Sequence, residues 1–192
     1  MYPPIIDLPM QLQVFVGATL SSTNIGSLRG YAQLGDGVTA GTFPVMLGGP
    51  VKAGQSFNGS QYMQWLSPLA NGTYTICALA NKVTGPGTAM FLLDARAAGG
   101  AGYLWYNAAV LEASTGTCYV DEVATTSLST TLCFIAATGI TLNAPSKLVI
   151  AAKNDLTTPW NGNMFRFKIF NGTATARQLR DQRQRMLAEL PR

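Results

Sequence analysis

The side chains of this chain that could do chemistry are its aromatics and its carboxylates, and they stand without a single histidine. That absence removes Ser-His-Asp and Cys-His catalysis, His-ligated zinc and His-based pH switching together. Retaining paired-carboxylate hydrolysis needs an acid and a nucleophile on one face, about 5 Å apart. Asp121 and Glu122 are adjacent instead. On a strand they point opposite ways, and in a hairpin turn they point to solvent. No Walker-type loop or G-x-G-x-x-G run is present. The acids Asp94, Asp121, Glu122 and Asp155 lack the spacing of a calcium loop. The expectation is a protein that is not an enzyme and holds no metal or cofactor.

Sugar binding asks for something different, namely aromatic rings flanked by polar groups. Trp65, Trp105 and Trp160 are the candidates. In Tyr103-Leu104-Trp105-Tyr106, strand alternation puts Tyr103 and Trp105 on one face. Trp65 lies close to Tyr62. Tyr103, Trp105 and Trp65 are therefore the candidate carbohydrate-binding residues.

The elements that must position them read as strands. Thr73–Leu79 alternates, with Tyr74 and Ile76 on one face and Thr75 and Cys77 on the other. Short β patterns follow at 90–93, 102–106, 118–123, 132–136, 147–152 and 164–170, separated by Gly, Asn, Pro, Ser and Thr clusters. Gln11–Val16 is a further candidate strand. Phe165, Phe167 and Ile169 alternate with Arg166 and Lys168, predicting a strand with a core face and a wet face. Asn171-Gly172 turns the chain, and Thr175 with Gln178 has the spacing of a capping box. A helix over 175–190 should pack through Leu179, Met186 and Leu190. The sum is an all-β fold: an antiparallel jelly-roll β-sandwich with one short C-terminal α-helix and an extended N-terminal arm.

At 192 residues the chain is expected to form one domain with a sizeable core. Charged residues make up 11%, against about 25% in an average soluble domain. Such a surface suits neutral sandwich faces or burial against other subunits. The net charge is +4, and five arginines against two acids fall after residue 173. They sit on one helix without aromatic interleaving, which predicts a solvated face and no nucleic-acid partner. No apolar run reaches the roughly 18 residues of a membrane span. The start lacks the basic and apolar regions of a signal peptide, so synthesis in a cytoplasm is expected. Cys77, Cys118 and Cys133 should then be free, buried thiols. Asn58, Asn71 and Asn171, each before glycine, read as turns.

Several motifs resemble one family. Phe57-Asn58-Gly59-Ser60-Gln61-Tyr62 is similar to the opening motif of concanavalin A-like lectin, glucanase and laminin-G-like jelly rolls. Asn71-Gly72-Thr73-Tyr74-Thr75-Ile76 resembles their second strand. Tyr119-Val120-Asp121-Glu122-Val123 resembles their Y-V-D-G-V hairpin, with Glu122 in place of glycine. Trp160-Asn161-Gly162, the strand to Asn171 and Thr175–Leu179 resemble the closing pattern. The resemblance covers residues 42 to 190 and implies the fold; it also implies that Trp160 is a packing aromatic. The fold hosts lectins, enzymes, adhesion modules and virion proteins alike.

Compact chains of this kind resemble structural proteins of tailed bacteriophages. The resemblance implies a non-enzymatic virion protein, decorating the head or forming part of the tail, with virion localisation after synthesis in the host cytoplasm. Residues 1–41 are then the arm and assembly segment, and residues 42–192 the sandwich. The proline-stiffened arm offers Tyr2, Ile5, Ile6 and Leu8 as an assembly interface, either to a neighbour or to its own sandwich. Expected partners are other virion proteins and further copies of the chain, as a homo-oligomer or multi-copy assembly. The alternative is a lectin-like carbohydrate-binding module for host-surface glycans.

Overall fold

The computed structural model of the protein describes residues 6–9, 20–21, 31–35, 45–46, 55–58, 62–66, 69–82, 89–96, 100–143, 147–155 and 157–190. The strands are β1 (Ile6–Pro9), β2 (Leu20–Ser21), β3 (Tyr31–Gly35), β4 (Val45–Met46), β5 (Gln55–Asn58), β6 (Tyr62–Leu66), β7 (Gly72–Lys82), β8 (Met90–Asp94), β9 (Tyr103–Asn107), β10 (Val110–Ala113), β11 (Thr117–Val120), β12 (Val123–Ala124), β13 (Cys133–Leu142), β14 (Lys147–Ile150) and β15 (Asn161–Asn171). One helix, α1 (Ala176–Ala188), follows. The candidate strand at 11–16 lies outside the described residues.

The strands form two antiparallel sheets. The first has the order β12-β11-β13-β7-β15-β5-β4, and β1 also pairs with β15. The second has the order β10-β9-β8-β14-β6-β3-β2. The fold is thus the expected all-β sandwich with one short C-terminal helix. Strands from before residue 42 stand in both sheets: β1 on β15, and β3 on β6.

The core lies between the sheets, where Phe57, Ile76, Ile135, Leu148, Trp160 and Phe167 are sealed from solvent. Burying each such side chain contributes about 2 kcal/mol, the term that offsets chain ordering. Trp160 takes the packing role expected of it, and its indole N–H donates to Asn81 O at 3.1 Å. Strand β7 alternates as predicted, Tyr74 and Ile76 facing the other sheet and Cys77 and Leu79 facing outward. The outward row is buried too, because α1 lies over it and packs Leu179 and Met186 against Cys77, Leu79, Phe134 and Phe170. That second cover explains why β7 and β13 are apolar on both faces.

The helix starts where the sequence says it should. Thr175 Oγ1 accepts from Gln178 N, and Gln178 Oε1 accepts from Thr175 N, closing the capping box. Thr75, fully buried on β7, donates to Gly172 O and accepts from Ala174 N, fixing the approach to the helix.

The closing strand differs from its simple alternation. A register shift between Met164 and Arg166 inserts an extra residue opposite β7. Phe165 therefore leaves the core row of Met164, Phe167 and Ile169 and packs with the outer cluster under the helix. The supposed wet face is also covered. Lys168 is only 4% exposed, and Glu189 at the helix end accepts from both Lys168 Nζ and Arg166 Nε. The arginines of α1 keep the solvated face expected of them, Arg177, Arg180 and Arg185 being exposed, while Arg180 and Arg183 also pair with Glu122 and Asp121 of the β11–β12 turn.

Candidate functional site

The outer face of the second sheet holds an aromatic and ionic cluster that α1, packed on the other sheet, does not cover. Strands β8 and β9 build it. Their register sets Phe91 beside Trp105 and Asp94 beside Tyr103, with a shift between Phe91 and Leu93. The irregularity keeps Leu92 and Leu93 in the core while Phe91 and Asp94 stand with the β9 aromatics outside it. On β9, Leu104 and Tyr106 are core, so Tyr103 and Trp105 share the opposite, half-buried face. The pairing expected from alternation is what the strand forms.

The three rings touch. Phe91 lies 5.0 Å from Trp105 and 5.9 Å from Tyr103, and Tyr103 lies 5.6 Å from Trp105, centroid to centroid. The Arg96 guanidinium caps the group, 4.6 Å from the Tyr103 ring and 5.1 Å from Phe91. Arg96 is held in place by Asp94, to which its Nε and Nη2 donate at 2.9 and 2.6 Å. Asp94 is fully buried and also accepts from the backbone N–H groups of Arg96 and Asn154. Its charge is compensated and its oxygens are satisfied, which is what permits burial. The Asn154 side chain donates in turn to Arg96 O.

Glu112 on β10 borders the cluster opposite Trp105, with its carboxylate 3.5 Å from the Tyr103 hydroxyl. Burial, reinforced by Glu112, pushes the Tyr103 phenol above its ordinary pKa, and Arg96 works against that rise. The bond to Asp94 raises Arg96 further and keeps it charged. Beside the cluster, Lys153 pairs with Asp155 at 2.7 Å. That hydrogen bond and those from Thr157 lower the Asp155 carboxyl to about 2. Trp105 Nε1 is buried and has no hydrogen-bond partner among the described residues.

Of the predicted sugar-binding residues, Tyr103 and Trp105 meet here. Trp65 holds the register position beside Leu148, a core residue, on β6 and three strands from β9. The row of Asp94 continues instead through Val149, Gln64 and Gln33. Of the assembly candidates, Ile6 and Leu8 lie in β1, in register with Ile169 and Phe167 of the same chain. Tyr2 and Ile5 lie outside the described residues.

Sequence reasoning missed Phe91, Arg96 and Glu112. The i, i+2 spacing of Asp94 and Arg96 was a signal for a local pair. The position of Glu112 needed the β9–β10 hairpin, whose turn, Ala108-Ala109, carries no ordinary turn residue. The isolated acids considered for metal are each tied to a cation: Asp94 to Arg96, Asp155 to Lys153, and Asp121 and Glu122 to α1. All three cysteines are free and buried.

No protein-family model matches the sequence, and no curated protein matches it. Among solved structures, the chain is similar to domain 4 of AbnA, a GH43 extracellular arabinanase from Geobacillus stearothermophilus, determined in complex with arabinotriose. The identity is 13%, the TM-score 0.51, and the match covers 85% of this chain and 91% of that one. At that identity the likeness concerns the fold alone, a two-sheet antiparallel β-sandwich.

Proposed function

We propose that the protein is a non-catalytic carbohydrate-binding module, with Tyr103 and Trp105 as its sugar-contacting side chains. The observation that carries this reading is the position of the pair. Two half-buried aromatics stand together on the sheet face away from the helix, bordered by an immobilised guanidinium and a carboxylate. Rings supply apolar contact to the C–H faces of a sugar, and fixed polar groups orient its hydroxyls. The similar arabinanase domain was determined with a bound arabinotriose, which supports the same class of ligand for this fold. The absence of histidine and of a same-face carboxylate pair in the sequence supports binding without turnover.

Calorimetric titration with soluble arabino-, xylo- and gluco-oligosaccharides tests the reading. Binding by the whole chain, weakened at least tenfold in Tyr103→Ala and Trp105→Ala variants that keep their β spectrum, is expected. No heat at millimolar concentration of any of them would overturn it.

A second reading, the virion structural role, draws on β1. That strand pairs with β15 and with no other described strand, and a strand at such a sheet margin suits main-chain pairing to a neighbour. Deleting residues 1–10 is then expected to abolish incorporation into particles while leaving the sandwich folded. Incorporation at the normal level would sink it.

A further inference from the structure

Resting on the carbohydrate reading, we infer that the site takes soluble, uncharged oligosaccharide chains and discriminates against both acidic glycans and flat polysaccharide surfaces. Two independent observations carry this.

The first is the mutual tilt of the rings. Tyr103 and Trp105, the two rings that reach solvent, meet at 72°, while Phe91 beside them is sealed from solvent and tilts 67° and 44° to them. A flat crystalline polysaccharide face requires aromatic rings that lie in one plane. No pair here does, so at most one ring can lie against such a face. A flexible single chain can bend or twist to present successive residues to rings of different orientation.

The second is charge. The described charged groups in and beside the cluster are Asp94, Arg96, Glu112, Lys153 and Asp155, three acids against two bases. Arg96 does not act as an uncommitted cation, because Asp94 neutralises it through the Nε and Nη2 edge. Its remaining nitrogen, Nη1, makes no hydrogen bond among the described residues. That nitrogen can donate to a hydroxyl or ring oxygen, for which a net positive field is not needed. With Asp94 paired to Arg96 and Asp155 to Lys153, a uronate or sulfate would instead meet the carboxylate of Glu112, with no spare positive charge among these groups to receive it.

The experiment uses the full chain and three probes. These are neutral arabino-, xylo- and gluco-oligosaccharides, oligogalacturonides of matched length, and insoluble crystalline cellulose in a pull-down. A neutral oligosaccharide is expected to bind at least tenfold more tightly than any oligogalacturonide. Raising salt should narrow that ratio by screening Glu112, and so should Glu112→Gln. Cellulose should leave the protein in the supernatant. Equal or tighter binding of oligogalacturonides, or retention on cellulose in preference to soluble chains, overturns the inference while the carbohydrate reading stands. Binding to none of the probes sinks the carbohydrate reading itself, and this inference with it.

Discussion

Arg96 lies 4.6 Å over the Tyr103 ring while its other edge grips Asp94, so one guanidinium joins a buried carboxylate to a half-exposed aromatic. Asp94 is fully buried, whereas the Arg96 side chain keeps 18% of its surface. Removing the arginine leaves a buried carboxylate with backbone donors alone. Arg96→Ala is expected to cost about 3 kcal/mol in urea unfolding. Arg96→Lys should cost less, since it restores the charge but not the planar fork. Because Arg96 lowers the Tyr103 phenol pKa, the alanine variant should also push that phenol's titration to higher pH. Loss of stability with an unmoved Tyr103 titration would separate the two contacts.

Asp155 predicts a specific acid response. Its folded carboxyl sits at about 2, below the ordinary 3.8, held first by the hydrogen bond from Lys153 and next by Thr157. A depressed folded value means that the contribution to stability is complete above the ordinary pKa and is lost as pH falls from there through about 2. The group is half-exposed, so the contribution is small. Carboxyl NMR titration should give a midpoint near 2 in the native chain. In Lys153→Met it should move back toward the ordinary range; an unchanged midpoint would assign the shift to Thr157 instead.

The thiols should be inert. Burial raises Cys118 to about 11 and Cys133 to about 12, and pushes Cys77 higher still despite the nearby Lys168. The thiolate is the reactive form. At pH 8 an aromatic disulfide reagent should label none of the three in the native chain and all of them after denaturation. Rapid native labelling of any one would mean that its layer opens.

Much of this was written in the sequence, for identifiable reasons. Tyr74 and Ile76 alternate with Thr75 and Cys77, and Thr175 and Gln178 are spaced for a cap, because strand period and capping geometry are local. The pairing of Tyr103 with Trp105 is local in the same way. The burial of Lys168 was not legible. It depends on Glu189, which meets it only after α1 has folded back over the sheet. The displacement of Phe165 depends on a register shift against β7, which no single-strand pattern encodes. Phe91 and Arg96 joined the site through the β8–β9 register, a long-range fact of the same kind.

Gly162 should be the least replaceable residue of the closing strand. A Cβ built there would lie 2.0 Å from Asn81 O and 2.8 Å from the Trp160 indole nitrogen. Both neighbours are constrained, because Trp160 is sealed in the core and bonded to that same Asn81 oxygen. Gly162→Ala must therefore separate β15 from β7 or displace Trp160, and it should cost about 3 kcal/mol. Urea unfolding gives the size, and a red-shifted native tryptophan emission would show that Trp160 had moved toward water.

Two hairpins share one backbone geometry and give the last test. Ala108 and Ala109 have φ of 47° and 74°, and Asp121 and Glu122 have 47° and 72°. Both pairs occupy the left-handed region that a two-residue turn needs and that Asn-Gly fills at least cost. The second turn has compensation. Asp121 Oδ1 accepts from Phe134 N, and Arg180 and Arg183 reach both acids from α1. The first has none in its side chains, which are exposed methyl groups. Ala108→Asn with Ala109→Gly should therefore stabilise the protein by about 1 kcal/mol, relieving strain without losing a contact. Glu122→Gly should gain less or nothing, because the relief is offset by the ion pairs it removes. Urea unfolding of the two variants side by side decides it: an equal gain at both turns would show that the arginine pairs add nothing to the β11–β12 hairpin.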